Sequence, residues 1–379
     1  MRILVAPDSF KGSLSAHEVA NSIKVGILNA CKEAEVYTLP MTDGGEGTVQ
    51  TLIEATNGKI IYKTVTGPLG NPVEAYYGLL GNENTAVIEM AAASGLLLVP
   101  PGKANPLKAT SYGTGELIKA ILDERVDEII IGLGGSATMD VGIGMMQALG
   151  VSFKDINDRE VGYGGEQLAS IKKIDVSKLD KRLKTVKIIV ASDVTNPLYG
   201  PNGAAYYYGP QKGATSDDVK FLDTCFRYFA NMIKTELGQE VDRMEGGGAA
   251  GGLGVALKVF LNANIKSGIE LVLDVTGIDE YLQKVDLVIT GEGKIDKQTL
   301  MGKAPIGVAR RAKKRNLPVV ALAGYLDADS QKILNAGIDV IFGITQRPVT
   351  QEEAFRNAAK WIERTAEQII NLINLSNLA

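Results

Sequence analysis

The stretch TGEGKIDKQTLMGKAP, residues 290–305, sets two carboxylates, Glu292 and Asp296, among three lysines, Lys294, Lys297 and Lys303, with glycines between them. It holds no histidine and no cysteine. Paired oxygen ligands suit a hard cation such as Mg²⁺. Lysines and free backbone N–H groups suit phosphate. A Walker loop requires Ser or Thr after Gly-Lys. Here Ile295 follows Gly293-Lys294 and Ala304 follows Gly302-Lys303, so neither pair qualifies.

Loops of the same chemistry recur. APDSFKGSLSA, residues 6–16, carries Asp8, Ser9 and Lys11 ahead of Ser13 and Ser15, either of which can cap a helix. PMTDGGEGT, residues 40–48, offers Asp43 and Glu46 among glycines, for Mg²⁺ or a hydroxylated substrate. ASDVTNPLYGPNGAA, residues 191–205, puts Asp193 and Asn196 at a strand end. GLGGSATMD, residues 132–140, contains Gly134, Gly135, Ser136 and Thr138, at a strand-to-helix turn that can receive an anion. GGGAAGGLG, residues 246–254, contains Gly251 and Gly252 and reads as a hinge or a phosphate nest. Each loop also has an ordinary reading as a turn or a cap. Together they supply what phosphoryl transfer uses, namely positioning and charge neutralisation.

Other chemistries fit poorly. The one histidine, His17, falls in the first turn of a predicted helix, which excludes histidine-dependent triads and multi-histidine zinc sites. GLGGSA matches the G-x-G-x-x-[GA] pattern of a nicotinamide-dependent oxidoreductase, but Asp155, at the right distance for the ribose, lies in the polar loop KDINDRE. A non-catalytic nucleotide sensor would need fewer acid–lysine loops. The net charge of −4, without a basic patch, argues against nucleic acid.

These loops need strands and helices to hold them. RILVAP and EVYTLP read as buried strands, each leading through a loop to a helical pattern, as in a parallel sheet. KIIYKTVTG, VEAYYGLL and TAVIEMA read as an antiparallel meander, and residues 152–187 are too polar to assign. The alternating pattern returns with VDLVITGEG, PVVALAG and DVIFGI. The expectation is a doubly wound parallel-sheet domain built from both chain ends, residues 1–62 and 280–379, with a mixed α/β domain, 63–279, inserted. With 379 residues and 45% hydrophobic content, two cores are within reach. Cys31 and Cys225 sit in helical contexts and suggest a reducing, cytoplasmic setting, with no membrane span and a homodimer left open.

The motifs APDSFKGSLSA, PMTDGGEGT, GLGGSATMD, SDVTNPLYGPNGAA, GGGAAGGLG and TGEGKIDKQTLMGKAP, in this order, resemble those of the bacterial glycerate kinases of the first type, across essentially the whole chain. The resemblance implies a flavodoxin-like domain interrupted by a second one. It also implies ATP- and Mg²⁺-dependent phosphorylation of the small molecule D-glycerate, commonly to 2-phosphoglycerate, although the older label covers the 3-phosphoglycerate product. Local departures are Val141-Gly142, Met244-Glu245 and Met301, none of which removes a charged candidate.

On that footing, the expected site lies in the cleft between the domains. Asp8, Ser9, Lys11 and Asn196 would bind substrate, with Lys11 meeting the glycerate carboxylate. Asp43 or Asp193 would accept the hydroxyl proton. Glu292 and Asp296 would hold Mg²⁺. Lys294, Lys297 or Lys303 would neutralise the transferring phosphoryl. Gly134, Gly135, Ser136, Thr138, Gly251 and Gly252 would cradle the ATP phosphates.

Overall fold

In the computed structural model, which describes residues 1–297, 299–327 and 330–376, thirteen strands appear in chain order among the described residues. They are β1 (Arg2–Val5), β2 (Glu35–Thr38), β3 (Lys59–Thr66), β4 (Pro72–Leu79), β5 (Thr85–Glu89), β6 (Glu128–Gly132), β7 (Ser152–Lys154), β8 (Lys173–Asp175), β9 (Lys187–Ala191), β10 (Asn264–Lys266), β11 (Leu287–Ile295), β12 (Val319–Leu326) and β13 (Val340–Gly343). The chain divides into two compact units, Met1–Asp43 with Ser267–Ala379, and Gly44–Lys266. The junctions thus fall earlier than the expected residues 62 and 280. Helix Thr48–Thr56 and strand β3 belong to the second unit.

The first unit holds a five-stranded sheet in the order β13-β12-β11-β1-β2, with every pair parallel. Numbered within the unit, this is the flavodoxin-like order 2-1-3-4-5. Side chains alternate across the strands. Ile3, Val5, Leu287 and Ile289 share a core with helices Ala16–Ala30 and Gln351–Ser376, whose buried faces include Ile23, Ile27, Ile362 and Ile370. Helix Ala304–Lys313 packs instead on helix Gly268–Val275, where Gly307 faces Ile269. Ser15 starts Ala16–Ala30 with a capping box, its hydroxyl accepting from Glu18 N while the Glu18 carboxylate accepts from Ser15 N.

The second unit is built on the six-stranded sheet β10-β9-β6-β5-β4-β3. The β3–β4 and β4–β5 pairs are antiparallel, and β5, β6, β9 and β10 run parallel. The stretch left unassigned from sequence supplies a small antiparallel pair, β7–β8. Among the described residues, no helix is long and apolar enough to cross a membrane.

Candidate active site

In the first unit, β1 and β11 are neighbours whose connections lead in opposite directions, which makes the carboxyl end of this pair the switch point of the sheet. The backbone prolongs the pairing past the strands. Ala6 N donates to Ile289 O and Asp8 N to Gly291 O, both at 2.8 Å, while Leu39 N and Met41 N donate to Val5 O and Pro7 O. Three segments therefore run side by side and bring Asp8, Asp43 and Glu292 to one place. Strand β11 extends to Ile295, so Glu292 and Lys294 are strand residues, two apart and on one face, rather than loop residues. A Cβ on Gly293 would stand 3.1 Å from Phe10 Cα, so the glycine lets the 8–11 loop lie close against the strand.

The charges are tightly interleaved. Lys11 Nζ lies 3.9 Å from Asp43 Oδ2, Lys303 Nζ 3.7 Å from Glu292 Oε2, and Lys294 Nζ 2.9 Å from Asp296 Oδ2. Thr299 ties the group together: its hydroxyl donates to Glu292 in a short bond and accepts from Asp296 N at 3.0 Å. Asp8 is only 5% exposed and accepts from Ser9 N at 2.6 Å. Burial, and then the neighbouring Asp43 charge, push its carboxyl up to about 7. Burial likewise raises the Glu292 carboxyl, and the Thr299 hydroxyl and Lys303 only partly offset it. Lys294 is held above its usual range by Asp296. Lys297 is exposed.

This donor set can be tested against Mg²⁺. Among the described residues, no group of three acidic side chains is arranged to hold a metal ion unaided. Mg²⁺ does not require such a cage, because it is commonly bound by one or two carboxylates together with substrate phosphates and water. Glu292 and Asp296, both buried and close to further acids, are hard oxygen donors of that kind. Each already stands beside a lysine, Lys303 for Glu292 and Lys294 for Asp296, so the fit to a cation rests on donor chemistry and not on excess charge.

Asp8, Ser9, Lys11, Glu292, Lys294 and Lys303 also line one cavity of about 670 Å³. The expected residues of the second unit form another group. Gly134 and Gly135 are exposed at the tip of the turn after β6, the first beside Gly45 and the second beside Ala91. Ser136 and Thr138 are buried and engaged by Lys212, whose Nζ donates to Ser136 Oγ at 2.7 Å and to Thr138 O at 2.8 Å. Burial lowers this lysine to about 7, with the Asp140 charge acting in the opposite sense. Asp140 is fully buried and accepts from Ser111 N, Ser111 Oγ, Gly142 N and Gly144 N, at the start of helix Ile143–Ala148.

Gly251 and Gly252 are buried too. Gly251 has φ +68°, and a Cβ there would lie 2.0 Å from Thr138 O. The glycine run is packed against the GLGGSATMD turn, with Val141 N donating to Gly251 O. Asn196 engages both ends of its amide locally, donating to Asn202 O in its own loop at 2.9 Å and accepting from the hydroxyl of Tyr208, at the end of helix Ala204–Tyr208, at 2.8 Å. Asp193 is exposed past β9. Asp155 accepts from Asn157 N and Arg159 N, which closes a turn and leaves the oxidoreductase pattern without its acid.

Two groups escaped the reading of the sequence. Lys212 sits in YYYGPQKG as one more loop lysine, and only the fold buries it. Glu89, the last residue of β5, is buried and accepts from Val49 N at 2.9 Å at the start of helix Thr48–Thr56.

Comparison with known proteins agrees with the motifs. The model of the glycerate kinase family matches residues 3–374. The chain is 52% identical over 376 residues to a glycerate kinase of Bacillus subtilis (strain 168), covering 99% of this chain and 98% of that protein. It is 49% identical over 369 residues to a glycerate 2-kinase of Escherichia coli (strain K12), with 97% of each chain covered. A crystal structure from Salmonella typhimurium LT2, described as that of a glycerate kinase 2, superposes with a TM-score of 0.91 at 48% identity and full coverage of both chains. The chain thus belongs to the glycerate kinase family and is a transferase of the kinase type.

Proposed function

We propose that the chain transfers the terminal phosphoryl group of ATP to a hydroxyl of D-glycerate. The observation that carries this reading is the gathering of Asp8, Asp43, Glu292 and Asp296 with Lys11, Lys294 and Lys303 around the ends of adjacent parallel strands. The favoured product is 2-phosphoglycerate, in keeping with the E. coli relative that is named a glycerate 2-kinase. The alternative regiochemistry is 3-phosphoglycerate. We take the two compact units as two domains, and the free cysteines as a sign of a cytoplasmic enzyme.

In this reading Lys11 and the N–H groups after Asp8 receive the glycerate carboxylate. The pair Asp8 and Asp43 accepts the proton of the attacking hydroxyl. A carboxyl group poised near neutral pH, as that of Asp8 is, is well matched to that task. Asp193 is the alternative acceptor. Lys303, with Lys294 or Lys297, neutralises the transferring phosphoryl group. The exposed Gly134 and Gly135 offer N–H groups to the phosphates, whereas Gly251 and Gly252 support the turn from behind. Glu292 and Asp296 would hold Mg²⁺, which when bound supplies positive charge to the phosphate oxygens.

The test is ADP release measured with and without D-glycerate, followed by phosphorus NMR of the product. The expected result is glycerate-dependent ADP release and a 2-phosphoglycerate signal. A 3-phosphoglycerate signal would reverse the regiochemistry, and glycerate-independent release would remove glycerate as the acceptor.

A further inference from the structure

The cavity that Asp8, Lys11, Glu292 and Lys303 border is larger and greasier than a three-carbon acid can use. Its volume is about 670 Å³. Pockets of roughly 300–1,000 Å³ are the range that buries drug-sized molecules. All of its lining residues belong to the first unit.

Its walls differ in chemistry. The strand end carries the carboxylates and lysines already described. An apolar wall, which adjoins the 8–13 loop where the Phe355 ring lies beside Gly12 and the Phe355 carbonyl accepts from Ser13 Oγ, comes from the segment before helix Gln351–Ser376 and from its first three turns: Ile344, Val349, Ala354, Phe355, Ala358 and Trp361. D-glycerate is polar on every carbon and gains nothing from such a wall, since burying polar groups without partners is costly. A nucleoside polyphosphate has the matching polarity: an anionic tail for lysines, and a flat ring whose faces are best buried against aromatic and aliphatic side chains. Gln351 and Thr345 also line the cavity, and a carboxamide and a hydroxyl can both donate and accept toward the edge of a base.

We infer that this cavity is the nucleoside pocket. The adenine ring packs between Phe355 and the Val349–Ala354 side, with Trp361 at its floor, and the phosphates run toward Lys294 and Lys303. This inference rests on the ATP-dependent reading above.

Trp361 makes the pocket self-reporting, because it is the only tryptophan in the chain. The experiment follows its emission while the full chain is titrated with ADP, with adenosine and, separately, with D-glycerate. It is paired with steady-state kinetics of Phe355→Ala, which opens the wall at a half-exposed position, and of Ala354→Phe, which fills it. The expected result is a saturable change in emission with ADP and adenosine and none with D-glycerate. Each variant should raise KM for ATP by about tenfold, the size expected for losing one good ring contact. KM for D-glycerate should stay within about twofold of the unchanged chain, as expected when only the nucleotide's binding is weakened.

Emission that ignores ADP at concentrations well above the KM for ATP, with that KM unchanged in both variants, overturns the pocket and leaves the kinase reading intact. Emission that responds to D-glycerate instead, with KM for glycerate raised, overturns it in favour of the acceptor. A saturable ADP response without glycerate-dependent turnover upholds the pocket and removes the kinase reading.

Discussion

The two units draw on the same small set of residues, acids, lysines and glycines, and put it to opposite uses. In the second unit, Asp140 is fully buried and accepts four hydrogen bonds, and Lys212 is buried with its Nζ spent on Ser136 and Thr138. The glycines there let backbone pack on backbone. In the first unit, Asp8 accepts one bond from Ser9 and otherwise faces the charges of Asp43, Lys11 and Glu292. Lys11, with a side chain 68% exposed, stands 3.9 Å from Asp43. The difference teaches how to sort such residues. A buried carboxylate ringed by neutral donors is finished business. One that meets other carboxylates, with few donors of its own, favours a proton or a further cation.

The sharpest way to break this contrast is to neutralise each acid and ask what is lost. Asp8→Asn or Asp43→Asn should lower turnover by about 10²–10⁴ with the fold intact, the usual weight of a proton acceptor. Near-normal turnover in both, with Asp193→Asn inactive, would move the acceptor to the second unit. Asp140→Ala should do the reverse. It strands the donors at Ser111, Gly142 and Gly144 and should cost about 3–5 kcal/mol of stability. Denaturant melts should therefore shift before any change in KM.

Asp8 also has a price in stability that can be measured. Its carboxyl is held near 7 in the fold, above its ordinary 3.8. Between those values the folded chain binds more protons than the unfolded one, so this group's contribution to stability falls as pH rises from about 4 to 7. Asp8→Asn should remove that slope and be more stable above neutral pH, by on the order of 4 kcal/mol or less. A variant equally stable at pH 5 and at pH 8 relative to the unchanged chain would refute the raised carboxyl.

Lys212 should give the smallest effect and the opposite sign. Its folded value, about 7, lies below the ordinary 10.5, so the unfolded chain binds more protons between them and stability rises with pH. Lys212→Met should flatten that rise, by about 2 kcal/mol between roughly pH 7 and 9. Parallel pH profiles of the two proteins would count against a desolvated lysine.

Much of this was legible in the sequence, for local reasons. The apolar runs gave the strands, Ser13 or Ser15 the first helix start, and the turn signals around 67–72 and 81–84 the β3–β5 meander; the structure settles the cap on Ser15. Asp8, Lys11, Asp43 and Lys303 could be picked out because they follow strands, and Glu292 because it sits among glycines at the carboxyl end of one. What was not legible depended on distant partners. Helix Thr48–Thr56 follows β2 in the same strand-loop-helix rhythm as its predecessor, yet Glu89, forty residues on, claims its start for the second sheet. The run GGGAAGGLG reads the same whether it faces solvent or packs. Thr138, more than a hundred residues earlier, decides that it packs. Asn196 looks like a ligand residue until Tyr208 occupies its amide.

The pairing of β1 with β11 carries a consequence for how the protein is made. Ile3 lies beside Leu287, so the first strand leaves the ribosome long before its central neighbour is synthesised. At roughly 5–20 residues per second, that interval is roughly 15–60 s. The second unit is continuous from Gly44 to Lys266 and can close its own sheet within that time. The opening segment, apolar and holding only β2 as a sheet partner, must be kept from other company until the last third of the chain arrives.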